Sequence, residues 1–182
     1  ATGSAPRSVP GITIDKVHIV TSDEAIHLPA VPKSIAIMGS GAVGVEFASI
    51  FRRFGSEVTL IELLPRIVPN EDEAVSAELE KAFRKRGITV RTGAKVTSAS
   101  VASDSVRLEM TSGSKTESLT IGKLLVATGR KPNVDGFGLE RLGITIEKTG
   151  IVVDEGLAAG DGVWAAGDVT GVAPFTHVGK YQ

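Results

Sequence analysis

The sequence predicts an α/β fold in which a doubly wound parallel sheet carries an antiparallel β-meander. Two observations lead there. Between residues 34 and 93 short apolar runs alternate with amphipathic helical stretches, and between residues 95 and 121 three short segments follow one another over connections too short for crossover helices.

SIAIM, 34–38, is a continuous apolar run bounded by Lys33 and Gly39, the mark of a buried strand. From Val43 onward Val43, Phe47, Ile50, Phe51 and Phe54 trace one helix face, and Gly55 stands where a helix ends on a residue without Cβ. EVTLIE, 57–62, is the second strand and closes on an acid. The next helix is expected to start at an Asn70 cap, with Glu73 three residues on in a capping-box arrangement and Glu71 and Asp72 at the positive end of its dipole. Leu79 and Phe83 mark its buried face, and Lys81, Arg84, Lys85 and Arg86 lead to a stop at Gly87. ITVRTG, 88–93, completes β-α-β-α-β. KVTSASV, SVRLEM and TESLTI then form the meander, KLLVATG (123–129) returns as a buried strand, and IVVDE and GVWAAGD are short extended runs near the end.

Composition excludes several function classes. Apolar residues make up 42% of the chain, and 20 basic against 21 acidic residues leave a net charge of −1 with no basic stripe. Nucleic acid and anionic membrane are therefore not expected partners. No apolar run approaches the roughly 20 residues of a membrane span, and the first residues lack a signal-peptide pattern, so a cytoplasmic location is expected. The absence of cysteine removes disulfides, thiolate zinc sites and thiol nucleophiles from this segment, and no metal site is expected.

The stretch GSGAVG, 39–44, matches G-x-G-x-x-G directly after a strand and at the opening of a helix. A glycine-rich turn alone would also account for the spacing. The strand–turn–helix context favours a dinucleotide, with Gly39 making the tight turn, Gly41 admitting the pyrophosphate to the backbone and Gly44 letting the helix lie close to the sheet. Glu62, 21 residues beyond Gly41, ends the second strand, where an acid accepts hydrogen bonds from the ribose hydroxyls of NAD and repels a 2′-phosphate. Its alternative is a solvated acid at a strand end. Leu63, Leu64 and Pro65 follow, Arg66 is the one candidate for a 2′-phosphate, and NAD is preferred over NADP.

Residues 39–90 resemble the NAD half of the flavin-dependent pyridine nucleotide:disulfide oxidoreductases, most of all their dihydrolipoamide dehydrogenase branch. ATGR (127–130) followed by KPN, then WAAGDVTG (164–171), and the opening ATGSAPRSVPG are further motifs of that family in the same order. The resemblance implies a Rossmann-like fold and the cofactors NAD and FAD. For NAD it points to Gly39, Ser40, Gly41, Ala42, Val43 and Gly44 at the pyrophosphate, Glu62 at the adenosine ribose, Val96 at adenine, and Gly129 and Glu46 toward the nicotinamide. For FAD it points to Thr2, Gly3, Ser4 and Arg130, to Asp168 at the ribityl chain, and to Pro174, Phe175, Thr176 and His177 facing the flavin ring, with a helix starting near Thr176. Glu46 as an ordinary polar helix residue and Asp168 as a turn aspartate are the competing readings.

No catalytic residue is expected within this segment. The family's redox cysteines are absent, its acid–base histidine lies in a further C-terminal domain, and His18 and His27 read as surface or linker residues. The implied organisation is 1–31 as the tail of an FAD domain and linker, 32–157 as an NAD-binding domain, and 158–182 as a return segment into the FAD domain, both ends being cut from a larger protein. The implied activity passes hydride between reduced flavin and NAD, with a small-molecule dithiol or disulfide substrate, a homodimer and a 2-oxo acid dehydrogenase complex as partners. Alternatives are an NADH oxidase or flavin reductase of the same two-dinucleotide family, and a stand-alone NAD-sensing module.

Overall fold

The apolar runs become the strands of one parallel sheet. The computed structural model describes residues 1–182, and the chain divides into two compact units, Pro6–Gly129 and Ala1–Ala5 with Arg130–Gln182. Strand β1 (Ser4–Pro6) is the first element. The larger unit continues through β2 (Ile19–Val20), α1 (Ser22–Ala25), β3 (Ser34–Met38), α2 (Ala42–Arg53), β4 (Glu57–Ile61), α3 (Glu73–Lys85) and β5 (Thr89–Arg91). It then forms β6 (Lys95–Ala102), β7 (Ser105–Ser112), β8 (Lys115–Ile121) and β9 (Lys123–Val126).

Five of these strands make a parallel sheet in the order β2-β9-β3-β4-β5. The register pairs Met38 with both Ile61 and Val126, so the carboxyl ends of β3, β4 and β9 lie level. After β3 the chain moves outward through β4 and β5, then returns to the other side of β3 as β9. That reversal of direction is where open α/β sheets bind their ligands.

Alternation along β3 sends its residues to two different cores. Ile35 and Ile37 pack under the helices with Phe47, Ala48, Phe51 and Phe83. Ala36 and Met38 face the meander, against Val106, Leu108, Met110 and Ile121. The meander is an antiparallel sheet in the order β6-β7-β8, with a bulge between Val96 and Ser98. Helices thus cover one face of the parallel sheet and the meander covers the other.

The cap of α3 corrects the sequence expectation. Asp72, not Asn70, is the N-cap, and its carboxylate accepts the Ala74 N–H at 2.8 Å. A turn closed by the Glu71 N–H on the Val68 carbonyl, with Pro69 inside it, keeps Asn70 out of the helix. The capping box appears instead on α1, where Thr21 and Glu24 exchange bonds, a pattern that four helical residues made hard to notice.

In the smaller unit β1 pairs with β10 (Arg130–Pro132). Two hairpins follow, β11 (Ile146–Glu147) with β12 (Gly150–Ile151), and β13 (Ala158–Gly160) with β14 (Val163–Trp164). The last helix, α4 (Thr176–Tyr181), starts at Thr176. Ile144, Ile151, Ala165 and Val169 form a small core of this unit. No helix is long and apolar enough to cross a membrane.

Candidate functional site

The loop between β3 and α2 is shaped by what its glycines lack. Gly39 sits at φ +100°, and a Cβ there would overlap the Ala127 carbonyl oxygen at the end of β9. A Cβ on Gly44 would overlap the Gly39 carbonyl oxygen, so only glycine lets the first turn of α2 close onto the loop. Gly41 differs. It is the N-cap of α2, no side chain caps the helix, and nothing lies within 4 Å of where its Cβ would be. The first-turn N–H groups of α2 carry the helix's partial positive charge, and the space over Gly41 is open to a ligand. This cradle fits a pyrophosphate.

Beside it the structure builds a buried polar pair. Ser40 is 0% and Glu62 8% exposed. The Ser40 N–H and hydroxyl both donate to Glu62 Oε2, at 2.9 and 2.7 Å, and the Leu64 N–H donates to Oε1 at 2.9 Å. Those three donors offset the cost of burying a carboxylate. The Glu62 backbone is fixed as well, its N–H donating to the Arg91 carbonyl at 2.8 Å and its carbonyl accepting from the Ala94 N–H at 2.9 Å. The Ser40 carbonyl accepts the Val68 N–H at 3.0 Å. Val68 is a buried, β-branched residue at φ +39°, a conformation that costs on the order of 1–3 kcal/mol and persists only where surrounding contacts impose it. The segment after β4 is therefore fastened to the glycine loop at Ser40.

The other expected nucleotide residues lie on α2, in the meander and after β9. Ala42 is exposed, Val43 packs partly into the helical core, and Glu46 lies one turn beyond Ala42 on the exposed side of α2. Val96 is buried in the meander core opposite Met110. Gly129, at φ +116°, accepts the Arg7 N–H at 3.0 Å, and Arg7 also donates to the Thr128 carbonyl at 3.2 Å. Arg66 donates to the Pro69 carbonyl at 2.9 Å, which ties its guanidinium to its own loop.

In the smaller unit Ser4, Arg130 and Asp168 form one network. The Ser4 hydroxyl donates to Asp168 Oδ2 at 2.7 Å, and Arg130 donates to the Ser4 hydroxyl at 2.7 Å and to its carbonyl at 2.6 Å. The Arg130 Nε lies 3.9 Å from Asp168 Oδ2. Thr2 and Asn133 exchange bonds, hydroxyl to carbonyl at 2.7 Å and amide to carbonyl at 2.9 Å. Gly3 turns the chain between Thr2 and Ser4 at φ +70°. The Phe175 and His177 rings stack at 5.7 Å, Phe175 as the N-cap of α4 and His177 in its first turn, directly after Pro174. No cluster of three His, Asp or Glu residues could hold a metal ion.

Sequence reading missed the Ser40–Glu62 pair, the Val68 contact, Arg7 and Asn133. Each joins residues 22 to 131 positions apart, and no local pattern encodes such pairings.

The family model for "Pyridine nucleotide-disulphide oxidoreductase" matches residues 1–182. Dihydrolipoyl dehydrogenase 3 of Pseudomonas putida is 41% identical over 180 residues, covering 97% of this chain and 39% of that protein. The crystal structure of LpdA from Mycobacterium tuberculosis superposes with a TM-score of 0.89 at 32% identity, over 100% of this chain and 39% of that one. The HOCl-induced flavoprotein disulfide reductase RclA from Escherichia coli gives a TM-score of 0.87 at 32% identity, over 98% and 41%. The chain spans about two fifths of the length of the curated relatives it matches.

Proposed function

The chain belongs to the pyridine nucleotide-disulphide oxidoreductase family, and from that premise we propose that it is the NAD-binding segment of a dihydrolipoyl dehydrogenase-like flavoenzyme. The observation that carries the proposal is the buried Glu62 carboxylate beside the uncapped N-terminus of α2. One supplies the acid that a ribose 2′-hydroxyl seeks and a 2′-phosphate avoids, and the other supplies N–H groups for a pyrophosphate.

In this reading the Gly39–Gly44 loop holds the pyrophosphate at Gly41 and the first-turn N–H groups of α2, with Ser40 turned to Glu62, while Glu62 holds the adenosine ribose and Val96 the adenine side. Glu46 and Gly129 face the nicotinamide end. Within a proposed NAD-binding domain at 32–157, the compact part up to Gly129 carries these residues. The FAD assignment rests on the smaller unit, where Ser4 holds one Asp168 oxygen and leaves the other free to accept from ribityl hydroxyls. A bound nicotinamide would supply hydride exchange with flavin, and the chain's own residues would bind and orient it. The substrate proposed for the whole enzyme is a small dithiol or disulfide, and a homodimer is the proposed assembly.

Titration of the chain with NADH and NADPH tests the assignment. Glu62→Ala is expected to weaken NADH by about ten- to a hundredfold, the worth of hydrogen bonds to a charged group, while NADPH is affected less. An unchanged ratio of the two affinities contradicts the role given to Glu62.

A further inference from the structure

Ser40 occupies the first variable position of G-x-G-x-x-G, where nothing in the motif asks for a hydroxyl. We propose that it is a positioning residue for cofactor choice: it holds the Glu62 carboxylate in place, so that a dinucleotide with a 2′-phosphate cannot push the acid aside. The proposal rests on the reading of Gly39–Gly44 and Glu62 as an NAD site.

A carboxylate offers about four acceptor positions. Three are taken here, two on Oε2 by Ser40 and one on Oε1 by Leu64, which leaves a direction on Oε1 for a ribose hydroxyl. An unpinned glutamate at a strand end could rotate into solvent and admit a phosphate. Glu62 cannot do so without abandoning a fully buried hydroxyl and two backbone N–H groups. Ser40 is itself held from the other side by the Val68 N–H on its carbonyl. Discrimination then depends on the cost of moving the acid as much as on the acid's charge.

Removing the hydroxyl lowers that cost. Ser40→Ala is expected to raise affinity for NADPH and slightly weaken NADH, so that the preference for NADH falls about tenfold, the scale of one lost hydrogen bond to a charged group. Ser40→Gly also removes the hydroxyl and adds no bulk to the buried site, shifts the preference in the same direction, and serves if the alanine variant does not fold. The experiment titrates NADH and NADPH into the wild-type chain, both Ser40 variants and Glu62→Ala, with thermal melting alongside. A gain in NADPH affinity is the signature, because a merely loosened loop would weaken both cofactors together. Equal weakening of both, or an unchanged preference in the Ser40 variants while Glu62→Ala loses it, overturns the role of Ser40 and leaves Glu62 standing. An unchanged preference in Glu62→Ala overturns the role of Glu62, and with it the reading on which this proposal rests.

Discussion

Gly41 and Gly44 are three residues apart and have opposite reasons to be glycine. Gly44 has no room for a Cβ, because the Gly39 carbonyl occupies that place, and Gly41 has open space around it at an ordinary φ of −66°. Gly44→Ala is therefore expected to destabilise the fold by about 1–3 kcal/mol, the cost of overpacking, and to disturb nucleotide binding through the distorted loop. Gly41→Ala is expected to leave the melting temperature within a few degrees while weakening NADH, since its methyl points where a pyrophosphate would approach. Calorimetry and titration on the two variants separate a folding glycine from a binding one. At this scale the sequence exposed the glycine spacing and Glu62, because both belong to a motif with a mechanism. It could not expose that Ser40 and Glu62 touch, since only the register of β3 against β4 brings positions 22 apart together.

Among the elements, the helix ends show where local chemistry is overridden. Asn70 and Asp72 are both good caps, and the turn through Val68 and Pro69 decides between them. Asp72→Ala is expected to cost about 1 kcal/mol by denaturant unfolding, and Asn70→Ala a few tenths or less. On α1, the Thr21 hydroxyl and N–H donate to Glu24 at 2.7 and 2.9 Å and hold its carboxyl below the usual carboxylate range. A lowered folded-state value means this contribution is fully present above the unfolded pKa, near 4.3, and is lost as pH falls through the lower folded value. Thr21→Ala is therefore expected to lower the melting temperature at pH 7 and to flatten the acid limb below about pH 5. The long strands and both long helices were legible from period and length. The hairpins between Ile146 and Trp164 were legible only as two extended runs, because strands of two or three residues carry no period.

Over the whole molecule, the parallel sheet has two different faces, and the sequence wrote both into β3 through Ile35 and Ile37 on one side and Ala36 and Met38 on the other. Leu125 packs in the helical core and Leu108 in the meander core, both fully buried, so either Leu→Ala change is expected to cost about 2–5 kcal/mol in denaturant unfolding. Val101, exposed on the meander, is expected to tolerate alanine within about 0.5 kcal/mol. The smaller unit was the hardest to read. Its Ser4–Arg130–Asp168 network joins residues 126 and 164 positions apart, and only the ordered motifs of a family brought them into one list. The central claim is that the carboxyl edge of the sheet binds NAD on the N-terminus of α2. The most direct measurement follows backbone amide NMR signals as NADH is added to the chain. The expected result is that the largest saturable shifts fall on Gly41, Ala42, Val43 and Gly44 and on Glu62 and Leu64. Saturating NADH that leaves those amides unmoved, or that moves a different edge of the sheet, would contradict it.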